Sequence, residues 1–282
     1  MKKSDKILIV GLGLIGGSYA EGLTLKGYEV YAIDTNIESI EFAKEKKIIK
    51  DGTTNVSKEF LEQMDIVIFA LYPHIVIEWI KSYQKYLKPN AIITDVTGIK
   101  KWLYDNIKDI LRKDLEYIGA HPMAGREVYG VKNSNKDIFK GANYIVTPTS
   151  SNTEYAINIA KKIGEELEFK NVVTLSIEEH DEMIGFLSQL THCIAISLMT
   201  CKDSQHLVKY TGDSFRDLTR IARINENMWS ELFLLNKEEL LKQMDLFLEQ
   251  FTKLKKTIEN DEIGKMKEIM KLSTLNRSYF DK

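Results

Sequence analysis

A histidine and an arginine carry the side chains best suited to chemistry on an anionic substrate. His121 follows the apolar stretch 117–120, which predicts a strand, and Pro122 comes directly after it. Imidazole titrates near neutrality, so a histidine at a strand end can take a proton from a ligand at the edge of an open α/β sheet. The alternative for an isolated histidine is a structural role in the core.

Arg220 supplies a guanidinium, which can hold a carboxylate through paired hydrogen bonds. Arg216, Arg220 and Arg223 are spaced by four and three residues, so a continuous helix would place them on one face. Acidic residues also surround them. For Arg216 and Arg223 we expect ordinary ion pairing on a solvated surface.

A glycine-rich turn precedes these residues near the start of the chain. Gly11-Leu12-Gly13-Leu14-Ile15-Gly16 lies between a predicted strand, 7–10, and a predicted helix, 14–26. The three glycines allow a tight turn, close approach of a pyrophosphate and packing of the helix on the strand. The helix N terminus then offers N–H groups to phosphates. A tight connection without a ligand is the alternative, but the strand-turn-helix context favours a dinucleotide site.

Asp34 ends the next predicted strand, 30–34, about twenty residues after the turn. A carboxylate at this point accepts hydrogen bonds from the ribose hydroxyls of a dinucleotide and repels a 2′-phosphate. Thr35 and Asn36 follow it, and neither supplies the cation that a 2′-phosphate needs. The sequence therefore predicts NAD, not NADP, as the cofactor.

Alternating elements position these residues in the first half. Apolar stretches predict strands at 7–10, 30–34, 65–70, 91–96, 117–120 and 143–148, and helical patterns predict helices at 14–26, 37–47, 75–87, 99–112 and 152–167. Continuous apolar strands that alternate with helices are typical of a parallel sheet covered on both faces. We place this first domain at residues 1–174.

The second domain, residues 175–282, is predicted to be helical. It contains no proline, and an apolar stripe recurs at three- and four-residue spacing at Leu240, Met244, Phe247, Phe251, Leu254 and Ile258. Such a stripe faces either its own domain or a second subunit. We expect a homodimer formed through this domain.

Composition limits the partners and the compartment. With 39 basic and 41 acidic residues, the net charge of -2 gives no reason to expect nucleic acid or an anionic membrane as a partner. We expect no secretory signal and no apolar window of about 18 residues that spans a membrane. Cys193 and Cys201 would lie roughly 12 Å apart on a helix, too far for a disulfide. These features favour a cytoplasmic protein with reduced thiols and no metal site.

Several motifs together resemble one enzyme family. They are the GLGLIGGS turn, His121-Pro122-Met123-Ala124-Gly125 with Glu127, His180-Asp181, SQLTH at 188–192, FRDLTRIA at 215–222, and Trp229. In this order, and over essentially the whole chain, they resemble the prephenate/arogenate dehydrogenase family.

The resemblance implies a fold and a reaction. The fold would be an α/β Rossmann-type doubly wound parallel sheet, followed by an all-α helical domain like the C-terminal domain of 6-phosphogluconate dehydrogenase. The reaction would be oxidative decarboxylation of prephenate with NAD, which gives 4-hydroxyphenylpyruvate on the route to tyrosine. Aromatisation drives that step, so the protein must orient the substrate, accept its hydroxyl proton and hold two carboxylates, without a metal.

The resemblance also implies roles for single residues. His121 would accept the hydroxyl proton, and Arg220 would anchor a carboxylate. Ser188 and His192, four residues apart on one face of a predicted helix, would lie near the substrate. Glu127 would pair with the substrate-binding arginine as a gate. Alternatives stay open for two of these residues, since His192 suits a hydrogen-bonded core position and Glu127 suits a solvated surface.

His180 is a weaker candidate for substrate binding. It lies in the polar segment IEEHDE, residues 177–182, which predicts the exposed first turn of a helix. A surface role and a role near the substrate both stay open.

One segment departs from the family pattern. Where the family has a small residue followed by serine, this chain reads Asp95-Val96-Thr97-Gly98-Ile99-Lys100. Gly98 replaces the serine that would orient the histidine and the substrate hydroxyl. Thr97 offers a hydroxyl one position earlier, on a different backbone path.

Other functions compete with this interpretation. Arogenate differs from prephenate by an amine in place of a keto group, and no residue distinguishes the two. A β-hydroxyacid type of dehydrogenase would need a lysine motif in the helical domain, which is not apparent. A non-catalytic NAD-sensing regulator would keep the fold, but the presence of both His121 and Arg220 favours an enzyme.

Overall fold

The structure, a computed structural model, describes residues 1–203 and 205–281. Strands and helices alternate in the first part of the chain, and helices form the rest. The strands are β1 (Lys6–Val10), β2 (Glu29–Ile33), β3 (Asp51–Thr53), β4 (Ile66–Phe69), β5 (Ile92–Asp95), β6 (Glu116–Pro122), β7 (Asn143–Thr147) and β8 (Asn171–Thr174). The helices are α1 (Leu14–Leu25), α2 (Ile37–Glu45), α3 (Lys58–Leu61), α4 (Pro73–Tyr83), α5 (Lys101–Ile107), α6 (Glu154–Glu166), α7 (Ile177–Ile184), α8 (Thr191–Thr200), α9 (Asp213–Thr219), α10 (Glu226–Leu235), α11 (Lys237–Glu259) and α12 (Ile263–Ser278).

The strands form one eight-stranded sheet in the order β3-β2-β1-β4-β5-β6-β7-β8. Its neighbours are parallel except for β6 and β7, which are antiparallel, with His121 opposite Ile145. The predicted parallel sheet is confirmed, and this pair is an antiparallel exception within it. A parallel neighbour needs a long crossover, usually a helix. The connection 123–142 instead contains only two short 3-10 turns, Val131–Asn133 and Lys136–Phe139.

Both faces of the sheet are buried, which explains the continuous apolar strands. Successive side chains of a strand point to opposite faces. In β1, Ile7 and Ile9 pack into one hydrophobic cluster with residues of α1 and α6, whereas Leu8 and Val10 pack into another with residues of α4 and α5. Residues 7–10 of β1 are therefore all apolar, because each of them faces one of the two covered sides of the sheet.

The parallel strands bring the candidate residues to one edge. Gly11 follows β1, Asp34 follows β2, the loop 96–100 follows β5, and His121 lies near the end of β6. Because β1, β2, β4, β5 and β6 run in the same direction, their carboxyl ends share this edge, which is where ligands bind in open α/β sheets.

The sequence predicts no apolar segment long enough to span a membrane, but the helical domain contains one. The run Ile177–Thr200, made of α7, the π-helical segment Gly185–Leu190 and α8, is long and apolar enough to cross a membrane by length and composition. However, His180, Asp181 and Gln189 within it are buried and hydrogen-bonded to other parts of the protein. These contacts favour a helix packed within a folded domain.

The predicted apolar stripe lies on α11, as expected. Leu240 is buried, but Phe251 and Ile258 are each 58% exposed in the single chain. Much of the stripe is therefore not covered by its own domain.

Candidate active site

The glycine-rich turn has the shape that a dinucleotide pyrophosphate requires. Gly11 has φ +100°, and a Cβ on Gly16 would lie 1.9 Å from the Gly11 carbonyl oxygen, so both positions need glycine. A Cβ on Gly13 would have no atom within 4 Å, so the turn is open on that side. Among the described residues, no side chain caps the N terminus of α1. Its first N–H groups are thus available to phosphate oxygens.

Asp34 is held against this turn. Its Oδ2 accepts the backbone N–H of Leu12 at 2.6 Å, and its Oδ1 accepts that of Asn36 at 2.8 Å. Each carboxylate oxygen accepts more than one hydrogen bond, so capacity remains for ribose hydroxyls. The structure places Asp34 where the sequence predicted a cofactor contact, next to Gly11, Gly13 and the start of α1.

His121 is paired with a second histidine. Its Nδ1 lies 2.9 Å from Nε2 of His180, and Nδ1 of His180 lies 2.6 Å from Oδ1 of Asp181. Burial is the main cause that holds the pKa of His121 well below its usual value, and the nearby ammonium of Lys100 lowers it further. His121 is therefore neutral near pH 7 and able to accept a proton.

The expectation that His180 lies on an exposed turn is wrong. His180 is 0% exposed, and burial lowers its pKa although the Asp181 hydrogen bond opposes the shift. The segment 177–182 is polar on both sides of His180, but α7 packs against the sheet domain through this residue. The sequence makes His180 a candidate for substrate binding. In the structure its contact is with His121.

The loop after β5 is built around a buried ion pair. Lys100 Nζ lies 2.6 Å from Asp95 Oδ2, and the two side chains are 1% and 0% exposed. The hydroxyl of Tyr117 donates to the other oxygen of Asp95 at 2.7 Å. Burial lowers the pKa of Lys100, and the charge of Asp95 opposes that shift. These contacts fix the path of the loop beside His121.

The structure does not bring the Thr97 hydroxyl to His121. That hydroxyl is buried and lies 2.5 Å from Asp95 Oδ2 and 2.9 Å from the carbonyl oxygen of Ile99, so its single proton is used inside the loop. Gly98, by contrast, faces the imidazole. A Cβ on Gly98 would lie 3.8 Å from Nε2 of His121 and from Cδ1 of Leu232.

His192 stacks on Trp229 of α10, the helix that also brings Leu232 to Gly98. We define the cleft as the region bordered by His121, Gly98, Leu232, Trp229 and His192. The two rings are stacked, with centroids 3.7 Å apart. Nδ1 of His192 lies 2.8 Å from the carbonyl oxygen of Ser188 and must donate to it, which leaves Nε2 for a ligand. Burial lowers the pKa of His192, and the Ser188 carbonyl opposes the shift.

The prediction that Ser188 and His192 lie on one regular helix is wrong. Ser188 belongs to the π-helical segment Gly185–Leu190, and His192 is the second residue of α8. The structure joins them through the Ser188 carbonyl and not through its hydroxyl. Wider turns of this kind often occur at functional sites.

Arg220 lies at the rim of the cleft and pairs with Glu127. Its Nη1 donates to Oε1 of Glu127, which follows His121 by six residues on the connection after β6. Arg220 begins the 3-10 turn Arg220–Ala222. This turn packs against α8, the helix that contains His192. The guanidinium remains 65% exposed, so it is accessible to a ligand carboxylate.

The predicted helical face of three arginines is not formed. Helix α9 ends at Thr219, so Arg216, Arg220 and Arg223 do not continue on one regular helix. Arg216 pairs with Asp213 at 3.3 Å on the surface, as expected for that residue.

Sequence reasoning missed the residues that support this cleft. Asp181 accepts the backbone N–H groups of Lys100 and Lys101 at 2.9 and 2.8 Å. Asn236 donates to the Asp181 carbonyl at 2.9 Å and to the Gln189 side chain at 2.8 Å, and Gln189 donates to the Leu232 carbonyl at 3.0 Å. The one available signal was Gln189, a polar residue within the largely apolar segment Gly185–Leu190.

Two sequence models of one enzyme family match most of the chain. A sequence model described as the nucleotide-binding domain of prephenate dehydrogenase matches residues 20–173, and one described as its dimerization domain matches residues 176–272. The chain belongs to the prephenate dehydrogenase family.

Individual relatives cover most of the chain. Prephenate dehydrogenase of Bacillus subtilis (strain 168) is 28% identical over 267 residues, which are 92% of this chain and 71% of that protein. Cyclohexadienyl dehydrogenase of Zymomonas mobilis subsp. mobilis is 26% identical over 268 residues, which are 91% of this chain and 89% of that protein.

A solved structure also matches over the full length. The crystal structure of prephenate dehydrogenase from A. aeolicus in complex with hydroxyphenyl propionate and NAD+ has a TM-score of 0.89 and 32% sequence identity, and the match covers 98% of each chain. This member of the prephenate dehydrogenase family is accordingly an NAD-dependent oxidoreductase, and NAD is its cofactor.

Proposed function

We propose that this enzyme oxidises and decarboxylates prephenate to 4-hydroxyphenylpyruvate, in the synthesis of tyrosine. The observation that carries the proposal is that neutral His121 faces Gly98 and that Glu127, six residues after it, pairs with Arg220. A neutral base lies near the end of β6, and a carboxylate-binding cation pairs with the connection that follows this strand. Such a pair suits a hydroxyl-bearing ring with anionic substituents.

His121 performs the proton transfer. It accepts the proton of the ring hydroxyl at Nε2, since Nδ1 is occupied by His180. When bound, NAD supplies the acceptor for the hydride from the hydroxyl-bearing ring carbon. As the ring carboxylate leaves as carbon dioxide, its bonding electrons complete the aromatic ring, and His121 returns the proton to the phenolate oxygen. No net proton is taken up or released by the protein.

Arg220 and His192 bind the carboxylates. The exposed guanidinium of Arg220 can exchange its Glu127 partner for a substrate carboxylate. A carboxylate beside Nε2 of His192 would favour the protonated form of that imidazole, which then donates a hydrogen bond. Leu232 and Trp229 supply the apolar surface for the ring between these groups.

We also propose a cytoplasmic homodimer formed through the helical domain, residues 175–282. The exposed side chains of Phe186, Leu187, Phe251 and Ile258 support it, because a soluble protein rarely leaves so many large apolar groups uncovered on one domain. The matching family model is described as a dimerization domain. Sedimentation of the wild type should give twice the chain mass, and Phe251→Asp should shift the protein toward monomer. A wild type that sediments as a monomer contradicts this assembly.

The deciding experiment is steady-state turnover of prephenate and of arogenate, each with NAD and with NADP. We expect prephenate with NAD to give the highest kcat/KM. The cyclohexadienyl dehydrogenase relative makes arogenate the second candidate, and higher kcat/KM with arogenate would replace the first proposal. If neither substrate reduces NAD, the proposed reaction is wrong.

A further inference from the structure

Asp181 lies where the helical domain meets the sheet domain. Its Oδ1 accepts the N–H of Lys100 at 2.9 Å, and its Oδ2 accepts the N–H of Lys101 at 2.8 Å, at the start of α5. The same Oδ1 lies 2.6 Å from Nδ1 of His180. Asp181 is only 3% exposed. Because a carboxylate only accepts hydrogen bonds, Nδ1 of His180 carries a proton.

That proton determines the state of the next ring. Burial keeps His180 neutral by lowering its pKa, and a neutral imidazole has only one N–H group. Nε2 of His180 is therefore an acceptor. Nδ1 of His121, 2.9 Å away, must donate to it. The lone pair of neutral His121 is then on Nε2, the atom that faces Gly98.

We propose that His180 and Asp181 are positioning residues that hold His121 in the tautomer able to accept a proton at Nε2. The proposal rests on the proposed function, because it assigns His121 the part of proton acceptor. Neither residue needs to touch the substrate. Since His180 and Asp181 belong to α7 and His121 to β6, the base reaches this tautomer only when the two domains are docked.

The size of the effect follows from related chemistry. In serine proteases, loss of the group that sets the tautomer of the catalytic histidine lowers kcat by about 10⁴ while the geometry persists. Here the His121 ring also packs edge-on against His180, with centroids 5.1 Å apart, so its orientation depends on the same neighbour. If His180 had only a structural role, its substitution would affect folding but would not change which nitrogen of His121 carries the proton.

Two substitutions separate these roles. His180→Leu removes the acceptor for the Nδ1 proton of His121, and we expect kcat to fall on the order of 10²–10⁴ with little change in KM for prephenate or NAD. His180→Gln places an amide oxygen near the former Nε2 position, so it should recover most of that loss. His206→Leu, at an exposed histidine, is the matched control.

The tautomer itself is observable by ¹⁵N NMR of histidine-labelled protein, because the chain has only 5 histidines. In the wild type we expect the proton on Nδ1 of neutral His121 and a bare Nε2, and in His180→Leu a shift of the proton toward Nε2. A wild-type His121 with its proton on Nε2 overturns the proposal, even if His180→Leu does not fold. So does a folded His180→Leu with normal kcat, or a His180→Gln that is no better. If neither prephenate nor arogenate is turned over but the wild-type tautomer is as expected, the proposed reaction fails and the tautomer assignment stands.

Discussion

Gly98 faces the proton-accepting edge of His121. A Cβ on Gly98 would lie 3.8 Å from both Nε2 and Cε1 of the imidazole, which is ordinary van der Waals contact. The protein therefore provides space for a serine side chain at this position without a clash. The backbone need not move to accept a side chain, because the space beside Gly98 has room for a Cβ. The buried pair of Asp95 and Lys100 holds the loop in this position.

Gly98→Ser should therefore increase turnover. The serine hydroxyl would reach Nε2 of His121 and the substrate hydroxyl, and one such hydrogen bond is worth about 0.5–1.5 kcal/mol, or roughly a 2- to 10-fold rise in kcat. Gly98→Ala is the control, because it adds the same Cβ without the hydroxyl. If serine and alanine have the same effect on kcat, the hydroxyl has no part in the reaction.

His121→Asn should remove the proton acceptor and keep a similar volume. We expect kcat to fall by on the order of 10²–10⁴, with a modest change in KM, because the proton transfer occurs only as the reaction proceeds. Steady-state kinetics with prephenate and NAD measure both quantities. His206→Asn, an exposed histidine, should behave as the wild type. Nearly unchanged turnover of His121→Asn would exclude it from the mechanism.

Arg220→Gln should weaken binding of prephenate selectively. A hydrogen bond to a charged group is worth about 1.5–3 kcal/mol, so we expect KM for prephenate to rise roughly 10- to 100-fold. KM for NAD should change little, because Arg220 pairs with Glu127, whereas the residues assigned to the cofactor are the glycine turn and Asp34. Arg216→Gln is matched in chemistry, since Arg216 pairs with Asp213 on the surface. Equal effects of the two substitutions on KM would argue against a carboxylate site at Arg220.

The local features of the fold were predictable from the sequence. The runs 7–10, 30–33 and 66–69 of β1, β2 and β4 are continuously apolar because both faces of the sheet are covered, and the glycine turn has steric requirements that few residues meet. The antiparallel β7 was not predictable in the same way, since strand direction depends on the path of the connection 123–142 and not on side-chain periodicity.

The supporting contacts of the site were not predictable, because they join distant parts of the chain. His180 looks exposed in its polar segment, yet it meets His121, 59 residues earlier. Asp181 meets the N–H group of Lys100 across 81 residues. Burial of these groups results from docking of the two domains. Hydrophobic periodicity records which face of an element is apolar, but not which polar side chains a partner domain will cover.

Asp34→Ser should relax the preference for NAD. Asp34 accepts the Leu12 N–H at 2.6 Å and therefore lies beside the glycine turn. A 2′-phosphate on the ribose would approach this carboxylate. Loss of the negative charge should raise the ratio of kcat/KM for NADP to that for NAD by about 10-fold or more, equivalent to about 1.4 kcal/mol. Asp34→Glu keeps the charge and should keep the preference. An unchanged ratio in Asp34→Ser would show that another residue selects the cofactor.

Acid should destabilise the protein in a range set by its buried histidines. Burial lowers the pKa of His121, His180 and His192 in the folded state, whereas the unfolded chain takes up protons near the ordinary value of about 6.5. Their contribution to the free energy of unfolding is therefore complete above about pH 6.5 and is lost as the pH falls toward the lower folded pKa values. Each such histidine contributes a slope of at most about 1.4 kcal/mol per pH unit.

Urea unfolding at several pH values between about 7.5 and 5.5 measures this slope. His192→Phe keeps an aromatic ring against Trp229 and removes one titrating group, so its free energy of unfolding should fall less steeply with acid than that of the wild type. His206→Asn removes an exposed histidine and should leave the slope unchanged. A wild-type free energy of unfolding that stays level or rises as the pH falls over this range would contradict the lowered folded-state pKa values of these histidines.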